Sequence, residues 1–445
     1  MRKIYAAHGP FVVLGHILPA FPPKPNLLAV GPTFNRAILS NPAVWRTAGI
    51  TLRGPRNSAQ FRLRKGIVRM NGRVHKHYRQ MFSAPLARSR IEELGDRMGQ
   101  IAKSEISNWP TGRSVDLWPL VQQLVRTFAI SLLFGNDREY ASPIAEMLRE
   151  HVQYTYDPMV VGCPIKIKGT PYHRMLQHAT VFERRILDWA NKKKMEDLDL
   201  HDLLSLLTHM PDENGNPPTD AMIAGQLPTL FGAAFETCQS VLIWTLVLLA
   251  QHPSVARALW SEVKTVEETD FGQVSQLPLL DAVIRESMRI LPAVPLQFRV
   301  ATQSTDLPGY RVPPGTRVCI SAFLTNRSPA LYPDPDHFEP QRWFSIDPST
   351  YEYSAFSAGP RACPGVWFGV GVVKACLVAI MKRWRITLPA GSRIDYRVYI
   401  TMSPMRGVSA KILPQDGNFS TNPIEGNINT LVAMPGRSTM SADAV

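Results

Sequence analysis

Residues 356–365 read Phe356-Ser357-Ala358-Gly359-Pro360-Arg361-Ala362-Cys363-Pro364-Gly365, and an apolar stretch follows them to about Arg383. Gly359 and Gly365 permit a tight bend in which the backbone can come close to a flat ligand. A loop that opens onto a helix N-terminus turns backbone N–H groups toward its last residues, and such groups stabilise a thiolate. Arg361 adds a fixed positive charge two residues before Cys363. The competing reading of the same residues is a buried, inert cysteine in a turn. Of the five cysteines (Cys163, Cys238, Cys319, Cys363 and Cys376), only Cys363 stands between two glycines and beside an arginine. The count is odd, the spacings are wide and no CxxC pair occurs, which argues against a disulfide framework or a structural zinc site. Reduced thiols in a cytosolic compartment fit this usage.

The 445-residue chain is 45% hydrophobic and 9% aromatic, enough to fill a substantial core. It has no internal repeat and no evident linker, so residues 1–414 are expected to form one domain. Residues 415–445 are polar and rich in Gly, Asn, Ser and Thr, and are expected to be a loosely ordered tail. The first fifty residues mix short apolar runs with Gly and Pro, as short strands and turns do. From about Asn71 to His252 the apolar spacing is helical, as in Val121, Leu124, Val125, Phe128 and Leu132. The cluster Pro211 to Pro218 ends one helix, and Thr219 and Asp220 offer capping oxygens to the next. That next helix can reach Gln251, roughly 45 Å away at 1.5 Å per residue. Pro228 is expected to kink it. Gly309 to Thr316 predicts two short strands around a turn, and 386–412 is strand-rich. The pattern is mainly α with a smaller β-rich part.

The net charge of +13 invites an acidic partner, a nucleic acid or an anionic membrane surface, and composition does not choose among them. Phe11 to Phe21 is apolar but is interrupted by Gly15, His16 and Pro19, whereas a membrane span needs about 20 apolar residues. Gly225 to Ala250 is longer but carries Glu236 and Gln239, which suits a buried core helix better than a span. The expectation is a soluble, cytoplasmic chain without an integral membrane anchor. The run Arg62 to Arg79 is strongly basic, with only Phe61 and Tyr78 as nearby aromatics, too few for the base stacking that single-stranded nucleic acid demands. No nucleic acid is expected.

Other constellations lie at helical spacing. Glu286 and Arg289 stand i,i+3 and share one face, a pattern also common in surface ion pairs. His75 and Arg79 stand i,i+4. Ala233-Ala234-Phe235-Glu236-Thr237 places an acid beside an alcohol on the long apolar helix, where a hydroxyl backed by a carboxylate can relay protons.

The stretch Phe356 to Gly365 matches FxxGxRxCxG at every fixed position. It resembles the haem-binding loop of cytochrome P450 enzymes, whose cysteine is the axial ligand of the iron. The resemblance covers most of the chain and implies a cytochrome P450 fold with a long central helix crossing the haem. It implies haem b (iron protoporphyrin IX) as cofactor and Cys363 as its metal ligand, with Phe356, Gly365 and Ala233 against the haem. His75, Arg79, Arg299 and Arg361 are implied to clamp the propionates. Glu286, Arg289 and Arg342 are implied to form a buried network beneath the cysteine loop. Glu236 and Thr237 resemble the family's acid–alcohol pair and are implied to deliver protons, although Ala234 replaces the family's usual Gly and Cys238 follows where Thr or Ser is frequent. The implied activity is a monooxygenase of secondary metabolism: one oxygen atom of O2 enters a hydrophobic small molecule of terpenoid, steroid, fatty-acid or similar type. Substrate contacts are implied for Pro55 to Arg69, Tyr154 to Tyr172, Leu230 and Phe231, Ala293 to Phe298, and Ile400 to Met405. Electrons would come from a separate donor, an acidic ferredoxin with its reductase or a flavin reductase, docking near the basic helix and Cys363. The enzyme is expected to be a monomer. The alternative is a haem-thiolate peroxygenase or isomerase needing no reductase, which the Glu236–Thr237 pair disfavours. Nothing in the chain resembles the output domain of a haem sensor.

Overall fold

The computed structural model describes residues 2–13, 26–47, 54–135, 138–196 and 203–435. Most of the apolar segment Phe11 to Phe21, and residues 436–445 of the expected tail, lie outside them. The chain divides into two compact units. One comprises Met1–Trp45, Arg88–Val125 and Glu236–Val445; the other comprises Arg46–Ala87 and Arg126–Phe235. The two interleave along the sequence, so no single linker separates them.

The first unit holds most of the β structure. Its main sheet runs in the order Phe11–Val13, Asn26–Ala29, Arg317–Ser321 and Leu296–Ala301. Asn26–Ala29 lies parallel to Arg317–Ser321, and Leu296–Ala301 lies antiparallel to the same strand. Leu27, Leu28 and Ala29 are all buried, as expected where both faces of a strand are covered. Phe34, Ile38, Leu39, Trp45, Val318 and Ile320 pack with Leu27 and Ala29, and Ala358 of the cysteine loop joins this cluster. The first strand and the turn expected within Gly309 to Thr316 are present as Tyr310–Val312 and Pro314-Gly315, and the second strand, Arg317–Ser321, begins just beyond them. Tyr310–Val312 also closes a hairpin with Thr305–Leu307 through a turn at Pro308-Gly309, with Gly309 at φ 75°. Glycine accepts that left-handed conformation without strain, which fixes the turn there.

Val366–Arg383, the helix after Cys363, is buried almost continuously from Phe368 to Met381. It packs on Arg88–Glu93, Gly95–Ser107, Pro253–Val263, Phe271–Ser275 and Pro278–Ile290. Further strands follow it. Trp384–Thr387, Ser409–Pro414 and Ser114–Asp116 form a three-stranded sheet, and Tyr396–Val398 pairs with Met402–Pro404. Residues 415–435, expected to be loose, are packed instead. Ile424, Ile428, Leu431, Val432 and Met434 are buried, and the Arg327 guanidinium donates to the Leu431 carbonyl at 3.1 Å. A few apolar anchors set among many polar residues are enough to dock a segment that composition marks as solvent-loving.

In the second unit the helix Pro171–Lys193 is the hub. It starts with Thr170 accepting from the His173 N–H and with Pro171 in the first turn. Met175, Ala179, Phe182, Ile186 and Trp189 form its buried stripe at steps of three and four. It packs on Ala59–Leu63, Arg138–Tyr156, Pro158–Gly162 and Leu203–His209.

The helix Asp220–Gln251 belongs to both units, passing from the second to the first between Phe235 and Glu236. It stays helical through Pro228. Among the described residues this helix and Leu117–Phe134 are long and apolar enough to cross a membrane, and most of each apolar window is buried inside the protein.

Candidate functional site

The cysteine loop is fixed at both ends and in its middle. Ala358 is buried in the sheet core. Ser357 and Gly359 both take left-handed backbone, at φ 60° and 66°. At Gly359 a Cβ would lie 2.4 Å from the Leu39 carbonyl oxygen, so conformation and space both require glycine. The Cys363 N–H donates to the Phe356 carbonyl at 2.8 Å and closes the loop on itself. The Ala362 N–H donates to Gly359 at 2.9 Å, and Ser357 Oγ donates to Gln297 Oε1 at 2.9 Å, tying the loop to the strand Leu296–Ala301. Cys363 is exposed at the end of this closed turn, whereas Cys238, Cys319 and Cys376 are buried. Gly365 has φ −93°, so it is not the left-handed residue of the bend. A side chain there would meet no protein atom within 4 Å, which leaves the backbone open to a flat ligand.

Arg299 and Arg361 approach each other within the same unit. Arg299 is buried, and its guanidinium donates to the Phe298 carbonyl at 3.0 Å and to Gln297 Oε1 at 3.4 Å, both neutral acceptors. Burial first, and then the like charge of Arg361, push its pKa down to about 10. A buried cation that spends its donors on neutral oxygens is suited to an anionic ligand. An accessible thiol, an open backbone at Gly365 and this guanidinium together fit a haem, with its iron and its propionates.

Glu286, Arg289 and Arg342 are brought together within the first unit. Glu286 and Arg289 have no exposed side-chain surface, and they pair bidentately at 2.8 Å through both oxygens. Arg342 Nε donates to Glu286 Oε1 at 3.0 Å. Two further donors to Glu286 were not anticipated from the sequence: the Trp343 indole at 2.9 Å and the Glu339 N–H at 3.0 Å. Trp343 directly follows Arg342, so adjacency was the available signal.

Glu236 and Thr237 sit half-buried on the long helix within the first unit. Burial raises the pKa of the Glu236 carboxyl, opposed by hydrogen bonds from Gln239 and Thr401 and by the charge of Arg397. Neither Gln239 nor Arg397 was a sequence candidate, and Thr401 was included only within a general substrate segment. Burial pushes the neighbouring Cys238 thiol up to about 12, which keeps it protonated. Ala233, one turn before Thr237, is exposed and lies in the second unit.

His75 and Arg79 also lie in the second unit, on the helix Gly72–Met81, with His75 buried and Arg79 half-buried. Within the basic run, Arg62 is engaged bidentately by Glu183, at 2.6 and 2.5 Å, and Arg73 donates to Asn214 at 2.8 Å. Those two bases thus have partners inside their own unit.

Residues 47–402 match the family model of cytochrome P450. The chain is 28% identical over 417 residues to cyclooctatin synthase of Streptomyces melanosporofaciens, covering 90% of this chain and 88% of that protein. It is 26% identical over 401 residues to pentalenene oxygenase of Streptomyces avermitilis, covering 86% and 85%. Among solved structures, a retinoic acid-bound cyanobacterial CYP120A1 superposes with a TM-score of 0.80 over 93% of both chains at 20% identity.

Proposed function

The chain belongs to the cytochrome P450 family, and from that premise we propose that this monooxygenase hydroxylates a terpenoid, using a haem b held by Cys363. The observation that carries the reading is Cys363 itself, an accessible thiol at the end of a loop closed by its own N–H bond to Phe356. The terpenoid class is supported by the names of the relatives, cyclooctatin synthase and pentalenene oxygenase. When bound, the haem supplies the activation of O2 that places one oxygen atom on the substrate and sends the other to water. The protein supplies the rest. Arg299 and Arg361 bind the propionates, and His75 and Arg79 are assigned to them on the resemblance alone. Phe356 and Gly365 orient the cofactor, as does Ala233 on the resemblance. Thr237 Oγ1 would pass its proton to the oxygen that leaves as water and take one in return from the Glu236 carboxyl, so one O–H bond breaks and one forms at Thr237. The electron donor is a separate acidic ferredoxin with its reductase, or a flavin reductase, and the enzyme works as a cytoplasmic monomer.

A carbon monoxide difference spectrum of the reduced holoenzyme tests the ligand. The thiolate-type Soret band is expected in the wild type and is lost in Cys363→Ala; an imidazole-type band in the wild type overturns the assignment. A spin-shift titration with cyclic terpene hydrocarbons and alcohols tests the substrate class. A shift with fatty acids but with none of the terpenoids would refute it. Product formed with NAD(P)H and a ferredoxin system, and not with peroxide alone, separates the monooxygenase from the peroxygenase.

A further inference from the structure

Glu236 is met by the hairpin formed by Tyr396–Val398 and Met402–Pro404. Ser240 and Trp244, one and two turns beyond Glu236 on the long helix, both donate to the Met402 carbonyl, at 2.6 and 3.0 Å. The Met402 N–H donates to the Ala293 carbonyl at 2.9 Å. Both helix donors are fully buried, so two of these bonds fix Met402 against the helix and the third fixes it to Ala293, without help from Thr401. The Thr401 hydroxyl is thereby held 3.5 Å from Glu236 Oε2. Gln239 donates to the same carboxylate oxygen at 3.0 Å. The other end of that amide, Oε1, is buried with no hydrogen-bond partner among the described residues. A buried unmatched acceptor beside a carboxyl marks a place for an ordered water or a carboxyl proton. Thr401 is also the first buried residue after an exposed tip, Val398, Tyr399 and Ile400.

We propose that Thr401 is the positioning residue of Glu236 and the outer step of its proton supply: its hydroxyl, with Gln239, turns the carboxyl toward the hairpin and passes it protons from the solvent side. This rests on the reading of Glu236 as the acid that resupplies Thr237. The step balances. Thr401 Oγ1 gives its proton to Glu236 Oε2 and takes one from a hydronium ion on its outer side, so one O–H bond breaks and one forms at Thr401, one forms at Glu236, one breaks in the hydronium to leave water, and no electrons are transferred. Among the charged side chains, Arg397 of the same hairpin acts on this carboxyl and favours its ionised form; Thr237 and Gln239 on the helix are uncharged.

The test compares Thr401→Val, Thr401→Ser and Glu236→Gln in the haem-loaded protein. Infrared difference spectra between acid and neutral pH report the carboxyl directly, and the band lost in Glu236→Gln identifies it. Thr401→Val removes a hydrogen bond to the ionised form, so the midpoint should rise by about half a pH unit or more. Thr401→Ser should restore it. In turnover of the terpenoid that gives the spin shift, Thr401→Val should at least double the peroxide released per NAD(P)H, again with rescue by serine. If Glu236→Gln removes no titrating band, the reading of Glu236 fails. If that band exists and Thr401→Val leaves both it and the peroxide yield unmoved, the role of Thr401 fails. Should Thr401→Val not take up haem, Thr401→Ala against Thr401→Ser provides the same comparison.

Discussion

Glu286 accepts five hydrogen bonds, two from Arg289 and one each from Arg342, Trp343 and the Glu339 amide. Arg289 uses all its donors as well, on Glu286 and on the carbonyls of Asn326, Pro335 and His337. A buried ion pair satisfied this completely is strongly destabilised by removing one partner, because the other charge stays buried. Glu286→Gln is therefore expected to lose about 3–5 kcal/mol of stability, read from urea midpoints, with a matching fall in haem occupancy read from the ratio of Soret to protein absorbance. The control is Glu339→Gln, whose carboxylate is 57% exposed and touches Arg342 at 3.2 Å; it should cost less than about 1 kcal/mol. Equal losses in the two variants would refute the network's role. At this scale legibility in the sequence follows distance along the chain. Cys363, Arg361 and Gly359 share one loop, and Glu286 and Arg289 share one helical turn, so spacing exposes them. Thr401 reaches Glu236 across 165 residues, and no local pattern announces such a pair.

The long helix shows how one element can be constrained differently along its length. Near its start, the carbonyl of Gly225 and the side chain of Thr229 face Gly66, and the backbone of Arg62 and Lys65 faces Gly225. A Cβ on Gly66 would lie 1.9 Å from Thr229 Oγ1 and 2.6 Å from the Gly225 carbonyl oxygen. The threonine hydroxyl could rotate away; the Thr229 Cβ, 2.4 Å off, and the carbonyl are fixed to the helix backbone and could not. The Ile67 N–H adds a bond to Gln226 Oε1 at 2.9 Å, so this crossing is closely defined. Gly66→Ala is expected to destabilise by about 1–3 kcal/mol through overpacking. Gly232 lies on the same helix, and a Cβ there meets nothing within 4 Å. Gly232→Ala should stabilise by about 0.4–1 kcal/mol by restricting the unfolded chain. Thermal midpoints that move in opposite directions for the two alanines would bear out the crossing; a Gly66→Ala midpoint equal to the wild type would refute it. Sequence reading recovered the extent of this helix, because its start signals and apolar run are local. It could not reveal that Gly66 and Gly225 need each other, since close approach of two backbones leaves no periodic trace.

For the molecule as a whole, the helical middle and the strand-bearing flanks were legible because apolar spacing and turn residues are short-range signals. The docking of residues 415–435 was not, because its anchors are few and composition averages them away. Charge behaves in the same way. A net +13 says little about acid sensitivity, which depends on which groups are buried uncharged. His151, between His178 and Phe182 in the second unit, is the clearest case. Burial first, and then the charge of His178, push its pKa down from 6.5 to about 3, and its Nδ1 is buried with no partner among the described residues. Above pH 6.5 the ring is neutral in both folded and unfolded chains and adds no pH dependence. Below 6.5 the unfolded chain takes up a proton that the folded chain refuses until about pH 3, so stability falls through that window by about 1.4 kcal/mol per pH unit. His252, also depressed by burial, acts in the same direction. Carboxylates held low by hydrogen bonds, such as Glu146, Asp212 and Asp395, lose their stabilisation only at more acid pH, as they protonate. Between pH 6.5 and 5 the fall in stability comes from the buried histidines, and the Glu236 carboxyl, raised by burial, acts in the opposite direction. His151→Phe keeps a flat ring beside Phe182 and cannot bind the proton. Urea midpoints measured from pH 7.5 to 5 should show the variant gaining on the wild type as pH falls, by about 1.4 kcal/mol per unit at most, with a constant difference above pH 7. A difference that stays constant across the whole range would show that His151 does not carry the acid dependence of stability.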